Sequence, residues 1–272
     1  MAPLFDAGVP LEALPWGVEG VRPVAQRTSV YYHGDVALEG YMAWDAKALG
    51  DCGLPGVLVA HTAIGPQEVF IHSCCDALAR AGYFAMALDL FGTGECVFDK
   101  RVRDSILTPL RENRDEYAAR VQASYDALCA QPEVDEKRGV NGIGFCLGGQ
   151  AVLDLARAKT ASHLRGVVSF HGSLDHPSTL TSPSSPSSSA SVLILHGDDD
   201  PFNPPEKVEE CLSGLRGAGI QYEMTVYGGA KHAFTRPEKI KPEDLSMGFG
   251  YQARAAARSW AAARKFMSDV LE

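Results

Sequence analysis

The sequence predicts an α/β fold, a mostly parallel twisted sheet with helices on both faces. Two observations carry this. Short runs of continuous apolar residues alternate with longer stretches whose apolar residues recur at helical spacing. The composition supplies a large core, with 46% hydrophobic and 22% charged residues over 272 positions. No internal repeat and no shift in composition interrupts the alternation, so a single domain spanning residues 1–272 is expected.

The elements follow in order. Ser29–Tyr32 and Val36–Trp44 read as a hairpin around the turn residues His33-Gly34-Asp35. Gly56–His61 is an uninterrupted apolar run, the pattern of a strand buried on both sides. Helical spacing follows across Glu68–Ala81 and stops at Gly82. Phe84–Leu90 is the next strand, and a polar stretch, Arg101–Arg114, leads into a helix reaching about Ala130. The second half continues with strand Gly139–Phe145, helix Leu147–Ala158, and strands Arg165–Phe170 and Val192–His196. Helix Pro205–Gly217, strand Ile220–Tyr227 and an Ala/Arg-rich helix over about Gly250–Val270 complete it. The stretch at about 177–190 is nearly all Ser, Pro and Thr, too poor in apolar residues to offset chain entropy, and is expected as a surface insertion rather than a lid.

The formal net charge of −9 excludes an extended phosphate-binding surface, which needs clustered Lys and Arg. Met1-Ala2-Pro3-Leu4-Phe5-Asp6 shows neither a basic n-region nor an apolar h-region, so no signal peptide is expected. No run of about 18 apolar residues is present to span a bilayer. Seven cysteines, odd in number and irregular in spacing, suit reduced thiols in a cytoplasmic setting, most of them as small buried apolar residues.

Gly144-Phe145-Cys146-Leu147-Gly148-Gly149 lies between a predicted strand and a predicted helix. That is the setting of the nucleophile turn G-x-S-x-G of α/β-hydrolases, here with Cys in place of Ser. Flanking glycines let strand and helix approach closely around a strained residue. The helix N-terminus lowers a thiol's pKa and offers N–H groups to a developing oxyanion. The run lacks the G-x-G-x-x-G and Gly-Lys-Ser/Thr patterns of nucleotide sites.

A hydrolase of this fold presents its triad in the order nucleophile, acid, histidine. Of eight histidines, only His232 lies beyond the acidic cluster that follows Cys146. His61, His171 and His196 also fall at strand ends but fail on order, and suit structural or pocket-lining roles; His33, His72, His163 and His176 read as turn or surface residues. The acid belongs to His196-Gly197-Asp198-Asp199-Asp200-Pro201, and residue physics alone leaves all three aspartates open.

Three motifs, Gly-Phe-Cys-Leu-Gly-Gly, His-Gly-Asp-Asp-Asp-Pro-Phe-Asn-Pro and Gly-Gly-Ala-Lys-His-Ala-Phe-Thr-Arg, together resemble the dienelactone hydrolase family from about Tyr31 to the last helix. The resemblance implies Cys146 as nucleophile, Asp200 as acid and His232 as base. It also implies Leu147 and Ala63 N–H groups as oxyanion donors and Arg236 as the group that binds a substrate carboxylate. Phe145 and Thr62 fall beside the substrate. One departure stands out: dienelactone-cleaving members hold a thiol-activating glutamate where this chain has Thr62, and the nearest acid, Glu68, is expected to face a helix surface. The expected function is cleavage of a small ester or lactone, anionic if Arg236 lines the pocket, through a Cys146 acyl-enzyme. No metal, cofactor, nucleic acid or membrane is called for, and the chain is expected as a monomer or small homo-oligomer. An idle, acyl-transferring or isomerising protein of the same fold, or a thiol sensor on Cys146 or the Cys74-Cys75 pair, would use the same residues differently.

Overall fold

A computed structural model describes residues 11–17, 23–93, 96–158, 160–175 and 190–272. All but the last residue of the Ser/Pro-rich stretch lies outside the described residues.

Eight strands form one sheet in the order β1-β2-β4-β3-β5-β6-β7-β8. β1 (Ala25–His33) and β2 (Val36–Trp44) make the expected hairpin, paired from Ala25↔Trp44 to His33↔Val36. β1 exceeds its predicted length because the whole of β2 is available to pair with it. β3 (Gly56–Ala60), β4 (Phe84–Ala87), β5 (Val140–Phe145), β6 (Leu164–Phe170), β7 (Ser191–Gly197) and β8 (Tyr222–Tyr227) are parallel, and β2 joins them antiparallel through β4.

β4 stops earlier than its apolar run predicts. The buried Asp89 carboxylate accepts the N–H groups of Phe91 at 2.7 Å, Gly92 at 2.9 Å and Glu39 at 3.0 Å, and so folds the chain into a turn. The polar stretch after it is helical: α2 (Lys100–Glu112) is capped by Asp99. Asn113 separates it from α3 (Arg114–Cys129) and caps the latter by accepting the Glu116 N–H at 3.1 Å. α1 (Val69–Arg80), α4 (Leu147–Arg157), α5 (Pro205–Gly217) and α7 (Ala253–Asp269) fall where periodicity puts them, while the short α6 (Pro242–Ser246) was not foreseen.

Alternation along the buried strands divides the core between two faces. Val57 and Val59 of β3 pack with Ile143, Val168 and Leu195 beneath α1 and α7. Leu58 and Ala60 pack with Met86, Val167 and Ile194 beneath α3, α4 and α5. Helices on both faces leave one place where side chains from several strands converge without helix cover, the C-terminal edge of the parallel strands. The α/β-hydrolase architecture is therefore the one the sequence predicts.

All seven cysteines are free thiols. Fewer are buried than expected: Cys74, Cys75 and Cys211 are, Cys52 is exposed in the turn before β3, and Cys96, Cys129 and Cys146 are half-buried. Among the described residues no helix is long and apolar enough to cross a membrane.

The tightest crossing in the core is that of β5 with α4. A Cβ at Gly144 would lie 2.0 Å from the Gly148 carbonyl oxygen, and one at Gly148 would lie 2.2 Å from that of Ala60. Gly144→Ala is therefore expected to destabilise the fold by about 3 kcal/mol or more, read as a lowered urea midpoint.

Candidate active site

Cys146 follows β5 directly and is the N-cap residue of α4, at φ 55° and ψ −114°. A side chain at positive φ is strained, and it persists only where surroundings over-determine it. Here Cys146 N–H donates to the Phe170 carbonyl at 3.1 Å, and its own carbonyl accepts from Gly149 and Ser173, each at 3.0 Å. The turn aims Sγ out over the edge of the sheet. Three groups converge on it: the His232 imidazole, which bonds to it, and the backbone N–H groups of Leu147 and Ala63.

His232 reaches the thiol because the ends of β7 and β8 are tied together. Asp198 N–H donates to the Tyr227 carbonyl at 3.1 Å and Asp199 N–H to that of Ala230 at 2.9 Å. Beyond this turn His232 forms a bridge with Phe249, donating to the Gly248 carbonyl at 3.1 Å and accepting from Gly250 at 3.0 Å. Its Nδ1 lies 2.8 Å from Asp200 Oδ2. Asp198 and Asp199 are exposed and Asp200 is buried, so of the three aspartates only the last meets the histidine.

The ionisation of the three groups is interlocked. Burial raises the Cys146 pKa, but the His232 charge and hydrogen bond, with the Leu147 and Ala63 N–H groups, carry it below the ordinary thiol value. Burial lowers the His232 pKa; the Cys146 charge and then the Asp200 bond outweigh this and bring it to about 10. Asp200 is likewise pushed up by burial and more strongly down by His232, the Phe202 N–H and Asn203. Both shifts favour the charged forms, thiolate on Cys146 and imidazolium on His232.

Asn203 was not foreseen as a positioning residue, whereas His61 and His171 take hydrogen-bonded structural roles of the kind expected of them. Asn203 is buried and links two loops: its Nδ2 donates to Asp200 Oδ2 and to the Gly172 carbonyl, both at 3.0 Å, and its Oδ1 accepts the Leu174 N–H at 2.9 Å. It stands within the His-Gly-Asp-Asp-Asp-Pro-Phe-Asn-Pro stretch, so the signal lay beside the acid. His61 Nε2 accepts the Leu90 N–H at 3.2 Å, which places the ring proton on Nδ1, 2.6 Å from the Thr62 carbonyl. Burial pushes this imidazole down to about 4, so it is a neutral brace on the loop that carries Ala63. His171, at φ 36°, packs edge to face 5.2 Å from the His232 ring and shares a 2.8 Å hydrogen bond with Thr235. Burial and then the charges on His232 and Arg236 keep it far below its usual pKa, so it adds no second positive charge. His72 belongs to α1, not to a turn, with its ring stacked 3.9 Å from that of Tyr41.

Three expectations about the substrate side are corrected. The Phe145 ring is not a pocket wall: it is fully buried, stacked 4.8 Å from Phe170 and edge-on to Phe70, because its position on β5 points it under α1 and α7. Glu68 is not on a helix surface. It is the N-cap residue of α1 and fully buried, accepting a 2.9 Å bond from Thr62 Oγ1 and pairing with Arg236. Arg236 does not stand open toward a carboxylate; it is buried, paired with Glu68 and Glu238, and laid over Phe70 at 4.8 Å. A buried guanidinium needs counter-charge, and that need draws Glu68 inward. Thr62 is turned back in the same cluster: its Oγ1 accepts from Ile64 N–H at 3.2 Å and from Arg236 at 3.5 Å, shaping the loop that presents Ala63.

Cys74 and Cys75 are fully buried and their pKa values are driven well up, chiefly by burial, so they pack and do not react. Among the described residues no group of three or more His, Cys, Asp or Glu could hold a metal ion.

The dienelactone hydrolase family matches residues 38–271. The chain belongs to that family. Among solved structures it is similar to a dienelactone hydrolase-like promiscuous phosphotriesterase from metagenomic libraries, 31% identical with a TM-score of 0.82, over 92% of this chain and 99% of that one. Among relatives of this dienelactone hydrolase family protein, one from Methylorubrum extorquens bearing the name carboxymethylenebutenolidase is 27% identical over 237 residues, 79% of this chain and 78% of that one. An uncharacterised protein of Caenorhabditis elegans is 33% identical over 153 residues, 56% of this chain and 92% of that one.

The electrostatic account has a direct consequence for thiol reactivity. The pH dependence of wild-type Cys146 alkylation by iodoacetamide should place its midpoint below the ordinary thiol value. His232→Asn removes the lowering charge and leaves burial dominant, and the rate at pH 7 should fall by about tenfold or more.

Proposed function

We propose that the chain hydrolyses small carboxylic esters and lactones through an acyl-enzyme on Cys146. The single observation that carries this reading is the convergence of the His232 imidazole and two backbone N–H groups on one sulfur. The family's hydrolase chemistry and a relative named for carboxymethylenebutenolidase activity agree with it.

In the resting site the Leu147 and Ala63 N–H groups solvate the thiolate. When an ester carbonyl enters, the sulfur lone pair attacks its carbon and the carbonyl electrons move to oxygen. The donors then follow the charge from sulfur to that oxyanion, a stabilisation typically worth about 3 kcal/mol per donor. Collapse re-forms the carbonyl and expels the alkoxide, which takes the proton from His232 Nε2. The neutral imidazole, held in the right tautomer by Asp200, then removes a proton from water. Hydroxide attack on the thioester releases the acid and restores thiolate and imidazolium.

The pH dependence follows from the signs of the two shifts. The thiolate exists above a pKa lowered from the ordinary thiol value, and the imidazolium persists until pH rises through about 10. Hydrolysis of 4-nitrophenyl butyrate should therefore hold through neutral pH and decline on the alkaline side near that value. Asp200→Asn removes a bond and a charge that favour the imidazolium, so its alkaline limb should move to lower pH. A limb that stays in place argues against His232 as the acid.

Cys146→Ala should abolish ester hydrolysis, and Asp200→Asn should lower kcat by about 10²–10⁴-fold. Asp198→Asn and Asp199→Asn should change it by less than about twofold, since both side chains are exposed. Full activity in Cys146→Ala would refute the reading.

A further inference from the structure

Two features beside the thiol remain outside the mechanism: a buried cation enclosed by carboxylates, and a large apolar side chain left in solvent next to the histidine.

Arg236 approaches the reacting groups through Thr62, the residue before the Ala63 donor, whose Oγ1 lies 3.5 Å from its Nη1. A guanidinium in that position would suit a substrate carboxylate, but it is already ion-paired with two of the protein's own. Nη2 pairs with Glu68 and Nε with Glu238, and the face of the group lies over Phe70. Two carboxylates meet one guanidinium, so the cluster has no positive charge to spare. The Glu68 and Arg236 side chains are fully shielded, where a Coulomb interaction is weakly screened. An anionic acyl group would have to displace Glu68 or Glu238 or sit against their charge.

Phe202 follows Asp200 by two residues and is 43% exposed, although large aromatic side chains normally bury themselves. Its ring stands edge to face 5.0 Å from His232 and 5.1 Å from Phe249, and Phe249 lies 5.6 Å from His232. Two phenyl rings thus flank the imidazole that serves the leaving group. Leu245 and Met247, near Phe249 in sequence, are also exposed.

We propose that this site takes uncharged esters with an apolar or aromatic leaving group, Glu68 and Glu238 masking Arg236 against carboxylates and Phe202 and Phe249 seating the leaving group. The proposal rests on the reading of Cys146 as an ester-hydrolysing nucleophile, but it concerns recognition and is tested by binding alone.

The test uses two unreactive amides of equal shape: butyranilide, which is neutral, and succinanilate, which ends in a carboxylate. Each is titrated into the wild-type chain by calorimetry at neutral pH. Butyranilide should bind about tenfold or more tighter than succinanilate. Glu238→Gln removes one masking charge and should strengthen succinanilate binding about fivefold while leaving butyranilide unchanged. Phe202→Ala should weaken both ligands by a similar factor. Succinanilate binding the wild type as tightly as butyranilide, or no measurable butyranilide binding at millimolar concentration, overturns the proposal. The wild-type comparison decides even if a variant fails to fold. Persistent ester hydrolysis in Cys146→Ala would defeat the proposed chemistry and leave a tenfold neutral preference standing, so the two failures are distinguishable.

Discussion

The structure depends on one close crossing. β5 can pass into α4 at the angle that lifts Cys146 above the sheet only because nothing projects from Gly144 toward the Gly148 carbonyl, or from Gly148 toward Ala60. The crossing forces Cys146 to positive φ, and that strain is held by hydrogen bonds from β6 and the loop after it. The same contact between Gly148 and Ala60 sets the end of β3 beside the start of α4. The Ala63 and Leu147 N–H groups, from segments far apart in sequence, thereby meet at one sulfur.

Around that sulfur the charges are arranged in a chain with neutral walls. Asp200 bonds to the His232 imidazole, which bonds to the Cys146 sulfur, which meets two N–H dipoles. His61 and His171, both fully buried, are kept uncharged by desolvation and serve as braces. Arg236 brings the other strong cation close to the site, but Glu68 and Glu238 take it up. Among the described residues the Cys146–His232 pair therefore meets little competing charge in the same low-dielectric space.

The architecture and the juxtaposition of Cys146, Asp200 and His232 were legible because both are written in local patterns. Period-2 and helical spacing report burial directly, and the flanking glycines of Cys146 report a crossing that any larger residue would block. The boundaries that moved did so through tertiary bonds invisible to periodicity, as where Asp89 gathers three N–H groups and ends β4. Residue physics left Asp198, Asp199 and Asp200 open, since adjacent residues on a turn differ only in where they point; the family resemblance named Asp200, and Asp200 is the one the fold turns toward His232. Glu68 was misread for the same kind of reason. As an acid just before a helix it resembles a surface residue, and only the buried guanidinium of Arg236, 168 positions further along the chain, explains its inward turn. Phe145 illustrates the converse: adjacency to the nucleophile in sequence places its ring on the opposite side of the strand.

The central claim is that Cys146 carries the acyl group. Its most direct test is to stop turnover of 4-nitrophenyl butyrate with acid, where a thioester survives, and to weigh the peptide that contains Cys146. The account predicts that peptide heavier by one butyryl group, with the label on Cys146. Butyryl on another residue, or an unmodified Cys146 peptide recovered while a burst of 4-nitrophenol is released, would contradict it.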